Sequence, residues 1–172
     1  MAVLFRFSLL VKFTLLALLI FIQIPANAIE EGKTAPVLTA KLLDGKLFST
    51  DSAKGEVVII NFWATWCPPC RQEMPALESY YQKHKSQGLK IIAVSLDDPT
   101  DAEKVREVMH DFTFDAALDI ETQHKAYGRI WRLPLTFVID RKGVLRKVGW
   151  YGSVGIDQPL LEKIVTPLLE EK

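Results

Sequence analysis

VVIINFW fills residues 57–63 and runs straight into ATWCPPCRQEMP, residues 64–75. Apart from Asn61 the first seven residues are apolar and largely β-branched, the pattern of a strand covered on both faces. Pro68 and Pro69 then fit the first turn of a helix, where a missing backbone N–H matters least. The spacing predicts that helix from Pro68 to about Ser86, with Gly88 as its C-cap. Pro75 falls inside it and predicts a kink. A buried strand handing over to a helix points to an α/β class, and Cys67 and Cys70 straddle the join.

Working outward, Glu30 to Pro36 reads as a leader. Val37 to Leu43 and Lys46 to Ser49 flank Asp44 and Gly45, a hairpin-turn dipeptide. Lys90 to Leu96 (KIIAVSL) is a second buried strand. Thr100 and Glu103 have capping-box spacing for a helix reaching about Asp111. A short strand at Asp115 to Leu118 and a helix at Thr122 to Tyr127, closed by Gly128, come next. Leu135 to Ile139 and Val144 to Val148 form a hairpin around Asp140 to Gly143. Asp157 and Pro159 open a last helix, whose end Pro167 blurs. The order β-α-β-α-β-α-β-β-α gives α/β architecture with a mixed central sheet flanked by helices. Without repeat, low-complexity tract or linker, residues 29–172 read as one domain.

The N-terminus reads as an export signal over residues 1–28. Arg6 and Lys12 supply positive charge, Phe13 to Ile22 an apolar core, and Ala26, Asn27 and Ala28 a small-x-small cleavage pattern. The rival reading is an uncleaved membrane anchor, since the charge-free stretch reaches Ile29, at the lower limit for a spanning helix. Pro25 interrupts that helix and favours cleavage. Cleavage removes Arg6 and Lys12 from 21 basic residues and none of the 21 acidic ones. That balance lacks the basic surplus of a nucleic-acid binder.

Cys67 and Cys70 are the chain's two cysteines. Structural disulfides usually close long loops, whereas a two-residue gap closes almost none. At a helix N-terminus, unpaired amides and the positive dipole end favour a thiolate at Cys67, and the thiolate is the nucleophile. Zinc wants four ligands, but there is no second cysteine pair. Covalent haem needs His after Cys70, where Arg71 stands. A packing-only pair fits poorly with spacing suited to ring closure. Thiol–disulfide exchange needs no cofactor and no metal, because sulfur carries the electrons.

The run FWATWCPPCRQEMP resembles the active-site segment of thioredoxin-like proteins, and within them the exported ResA/TlpA-type branch. The similarity extends over most of residues 33–172. It implies a thioredoxin-like fold, with an N-terminal hairpin and an inserted strand–helix segment at Asp115 to Tyr127. It also implies that Cys67 is the exposed attacking cysteine and Cys70 the buried resolving one. Pro134 matches the family's cis-proline facing the disulfide. Glu73 matches an acidic position of this branch: sharing a helix face with Cys70, it would exchange a proton with that thiol. The alternative is an ordinary surface glutamate. Plain thioredoxin has a buried aspartate where this chain has Asn61, which cannot carry a proton.

Trp66, Pro68, Pro69 and Leu133 are expected to contact substrate. Trp131, between Arg129 and Arg132 in a short basic run, either lines a peptide groove or simply packs. His84, His110 and His124 are expected at the surface, and Asp97 and Asp98 in the loop before a helix. The resemblance implies exchange with protein disulfides in an exported, periplasmic compartment, with membrane contact only if the N-terminal segment stays uncleaved. It implies a reductant, serving apocytochrome c or another secreted thiol protein and re-reduced by a membrane thiol donor. An oxidant or isomerase, a thiol peroxidase and a client-binding module stay open as alternatives.

Overall fold

The computed structural model describes residues 29–150 and 155–171, so the signal or anchor reading of residues 1–28 lies outside the described residues. The strands are β1 (Thr39–Leu42), β2 (Leu47–Ser49), β3 (Val57–Trp63), β4 (Leu89–Ser95), β5 (Asp115–Gln123), β6 (Leu135–Ile139) and β7 (Leu145–Lys147). The helices are α1 (Pro68–His84), α2 (Ala102–Met109), α3 (Gln158–Ile164) and α4 (Thr166–Glu170). One mixed sheet runs in the order β2-β1-β5-β4-β3-β6-β7. β3 lies at its centre, parallel to β4 and antiparallel to β6.

Every residue of β3 is buried, and its side chains alternate between the two faces of the sheet. Val57, Ile59 and Trp63 join one apolar layer with Met74 and Leu77 of α1. Val58, Ile60 and Phe62 join the other, with Leu38, Tyr127 and Phe137. Burying each such side chain stabilises the fold by about 1.5–3 kcal/mol, which explains why the run tolerates almost no polar residue. The same alternation aims Asn61 at the α1 face. Sequence alone makes that visible once the strand is accepted.

The hairpin turn forms as expected. Gly45 takes φ 86°, and Asp44 Oδ1 accepts the Lys46 N–H at 3.0 Å. Gly88, at φ 85°, stops the chain after a 3₁₀ turn at Lys85–Gln87. The chain breaks between α3 and α4 where Pro167 has no N–H for the carbonyl four residues earlier.

Three expectations fail. The helix expected at Thr122 to Tyr127 is only a 3₁₀ turn, Lys125–Tyr127, because β5 continues to Gln123. Antiparallel pairing of Ala40 with Thr122 and of Thr39 with Gln123 recruits those residues into the ladder. The Thr100 capping box is also absent: Asp98 Oδ1 accepts the Thr100 N–H at 2.9 Å and caps a 3₁₀ turn, and α2 starts only at Ala102. Asp98 Oδ1 also accepts the Thr100 hydroxyl at 2.7 Å, so the side chain expected to cap the helix is tied to the turn around Pro99. Finally His84 is buried, not superficial, and stacks at 4.3 Å on Tyr80 one turn back. His124 is only partly covered, bonded to Asp119 and edge-on to Phe62, while His110 is exposed.

Candidate active site

Cys67 and Cys70 form a disulfide at the end of the central strand, where β3 gives way to α1. Cys67 is the N-cap, with extended backbone (φ −100°, ψ 98°), and its sulfur accepts the Cys70 N–H at 3.4 Å. A side chain at this position usually reaches the amides two or three residues on. Pro69 removes the first of these, so Cys70 supplies the one first-turn amide bonded to the sulfur.

Cys67 retains 5% of its surface and Cys70 none. The expected ranking is present, but the expectation of a well-exposed Cys67 needs correction. The disulfide draws both residues into the apolar layer that contains Trp63, Ala64 and Met74.

The approach to Cys67 is fixed from β4. Buried Asp97 accepts the Thr65 N–H at 2.9 Å, the Thr65 hydroxyl, and the Ser95 hydroxyl at 2.6 Å. The Leu96 N–H bonds to the Trp63 carbonyl at 2.9 Å. Asp97 therefore does more than lead into a helix. A buried carboxylate is costly unless its oxygens are paired, and here they close the two strand ends together. Its spacing from Ser95 at the end of a buried strand was the available sequence signal.

Glu73 is not a surface residue; it is 8% exposed on the inner side of α1. Asn61 Nδ2 donates to Glu73 Oε1 at 2.6 Å and to Thr136 Oγ1 at 3.1 Å, while the Ile156 N–H donates to Glu73 Oε2 at 2.8 Å. Burial pushes the carboxyl up to about 7, opposed by the Ile156 amide, the Asn61 amide and the Lys147 charge. Lys147 is itself buried, and desolvation lowers its pKa. Gly155 is required here. Its φ is +86°, and a Cβ there would stand 2.8 Å from Glu73 Oε2 and 3.4 Å from Pro134 Cγ. Nothing local in the sequence announced Gly155 or Ile156.

The Leu133–Pro134 bond is cis, the geometry expected there. Pro134, Pro69 and Glu73 meet around an open cavity of about 320 Å³, bordered by Gly155, Ile156 and Asp157. Leu133 packs partly buried against both apolar layers. Trp66 and Trp131 stand apart from that cavity and are 66% and 72% exposed. Trp131 stacks on Trp150 with centroids 6.0 Å apart, and the Arg132 guanidinium lies 5.9 Å from its ring.

Residues 32–148 match the AhpC/TSA family. The chain is 40% identical over 123 residues to the thioredoxin-like protein YneN of Bacillus subtilis, covering 70% of this chain and 71% of that one. It is 37% identical over 118 residues to the thiol-disulfide oxidoreductase ResA of Bacillus cereus, covering 68% of each. A putative thiol:disulfide interchange protein DsbE from Chlorobium tepidum superposes with TM-score 0.70 at 26% identity, over 83% of this chain and 99% of that one.

Proposed function

This chain belongs to the AhpC/TSA family as a thiol–disulfide oxidoreductase of the ResA type, and from that premise we propose that it is exported and reduces disulfides of secreted proteins. The observation that carries this reading is the Cys67–Cys70 disulfide at the strand-to-helix junction. In the reduced protein, Cys67 thiolate attacks a client disulfide. One client sulfur leaves as thiolate, and a mixed disulfide forms. Cys70 then gives up its proton and attacks Cys67, releasing the second client thiolate and closing the bond seen here. Two electrons pass to the client, and two protons end on its thiols.

Glu73 is the acceptor we assign to the Cys70 proton. It lies three residues on along the buried face of α1, and its near-neutral pKa suits a group that takes and returns a proton at pH 7. The reductant direction is supported by Pro69. It withholds one of the two amides that would reach the Cys67 sulfur, and a less stabilised thiolate favours the protein's own disulfide. Pro134, Leu133, Trp66, Trp131, Pro68 and Pro69 surround the path of a client strand. Apocytochrome c or another secreted thiol protein is the client class, and a membrane thiol donor restores the dithiol. The 1–28 segment supplies export to the periplasm, with cleavage at Ala28 or retention as an anchor.

The test is capture. Cys70→Ser in the exported protein stalls the reaction at the mixed disulfide, so client chains accumulate on Cys67 and are released by reductant. A folded variant that captures no protein disulfide in the periplasm sinks the proposal.

A further inference from the structure

Asn61 is a fully buried amide whose Oδ1 has no partner among the described residues. Its Nδ2 is committed twice, to Glu73 Oε1 and to the hydroxyl of Thr136, its cross-strand partner on β6. This arrangement suits Glu73 as a carboxylate, which only accepts hydrogen bonds. Once Glu73 holds a proton, the same geometry fails on one oxygen or the other. A proton on Oε2 would face the Ile156 N–H, a backbone donor that cannot turn round. A proton on Oε1 would face Nδ2, but an amide can exchange its oxygen and nitrogen by half a turn.

We infer that Asn61 is a positioning residue whose amide reverses with the protonation of Glu73, so that the carboxyl stays in place while it takes up and returns a proton. In the reversed state Oδ1 accepts from the Glu73 O–H and from the Thr136 hydroxyl. Thr136 switches from acceptor to donor by rotating its O–H, while the position without a partner among the described residues passes from Oδ1 to Nδ2, so the reversed state forms only when the Glu73 proton needs an acceptor. The amide itself gains and loses no proton. An aspartate at this position would add a second titrating carboxyl a hydrogen bond away from Glu73. Asparagine follows the charge without competing for it. Burial of Glu73 raises its pKa to about 7, so both states are populated near neutrality.

The other charged groups around Glu73 are Lys147 from β7 and Asp157 on the shared cavity wall. On α1 the sulfurs are joined in the oxidised protein and do not titrate. The catalytic value of the switch rests on the proposed role of Glu73 towards Cys70; the coupling between Asn61 and Glu73 does not.

The experiment follows the Asn61 side-chain amide and the Glu73 carboxyl carbon by NMR in the oxidised full-length protein from pH 5 to 9. The expected result is one shared midpoint near 7, with the Asn61 titration abolished in Glu73→Gln. A Glu73 carbon that titrates while the Asn61 amide stays still overturns the inference. In the reduced protein, Asn61→Leu should move the pH midpoint of exchange up by about one unit, because a hydrogen bond to a charge outweighs one to a neutral acid. It should move nothing in a Glu73→Gln background. A purely structural loss would lower the rate alike in both and leave the midpoint in place, against the inference. If Asn61→Leu does not fold, the amide titration decides alone. Failure of the Glu73 role is distinct: Glu73→Gln would leave the exchange profile unchanged while the parent Asn61 amide still follows pH.

Discussion

Replacing Pro69 by alanine restores one N–H at the second position of α1 and changes little else in the disulfide's immediate frame. In the protein as it stands, the Cys67 sulfur receives the Cys70 N–H at 3.4 Å. The restored amide lies at the other position from which N-cap side chains draw donors. A hydrogen bond to a charged acceptor contributes about 1.5–3 kcal/mol; for a large, soft sulfur we take the lower end. That corresponds to about one pKa unit, or up to about 30 mV in a two-electron couple where the thiolate is the populated form. The reduced protein gains that stabilisation and the disulfide does not, so Pro69→Ala becomes more oxidising. Pro68→Ala is the control, because its amide sits one position earlier, outside the usual capping pair. Two assays read the effect: the pH midpoint of Cys67 alkylation, and equilibration with a glutathione buffer. The midpoint should fall for Pro69→Ala and stay near the parent for Pro68→Ala. If both variants shift equally, or neither moves, the amide-counting argument is wrong.

Glu73→Gln changes how stability responds to pH. The folded carboxyl titrates at about 7 against an ordinary value of 4.5, so the native state holds the proton more tightly than the unfolded chain. That contribution is fully present below about pH 4.5 and is lost as pH rises through 7, amounting to about 3 kcal/mol. Urea midpoints of the oxidised protein at pH 5 and pH 8 should therefore differ less in Glu73→Gln than in the parent; equal differences would refute the buried-carboxyl account. Asp97→Ala strips three donors of their acceptor and should cost about 2–4 kcal/mol, slowing Cys67 alkylation as well. Asp97→Asn, which keeps the shape and lets the Thr65 hydroxyl reverse, should recover most of both, and equal losses in the two would show that charge rather than geometry matters. Gly155→Ala combines a positive φ with a 2.8 Å clash on Glu73 Oε2, so a loss of about 1–3 kcal/mol should appear in thermal unfolding, together with a displaced Glu73 titration. Trp131→Ala should slow reduction of a peptide disulfide while leaving reduction of a small aliphatic disulfide unchanged, and equal slowing would remove Trp131 from the client path.

The sequence was legible wherever a local rule decided the structure. An apolar run broken only by Asn61 read as a central strand, a glycine past the end of a helix took the left-handed conformation, and two prolines marked the helix start. It was not legible where distant segments competed. Residues 119–123 carry no decisive periodicity, and only β1, some eighty residues earlier in the chain, turns them into strand. Thr100 does not cap the helix because Asp98 engages both its N–H and its hydroxyl, a pairing that the capping pattern alone does not reveal. His84 sits among polar neighbours in sequence, yet its face of α1 turns inward onto Tyr80.

The same limit applies to the site. The cysteines declared themselves by type and spacing and Pro134 by the family resemblance, but the partners that set proton affinity come from remote elements. Ile156 reaches Glu73 from 83 positions away. Asn61 is the instructive case, because its place in a buried strand already demanded a partner and the α1 face was the side it had to be on. Taken together, these partners bear on the direction of electron flow. Pro69 withholds an amide from Cys67, and Glu73, once ionised above about pH 7, opposes a charged Cys70. Both effects make the dithiolate less favourable than the disulfide. That balance supports the proposed reductant role, and restoring an amide near Cys67 or placing a neutral side chain at position 73 should each make the protein more oxidising, by separate and additive steps.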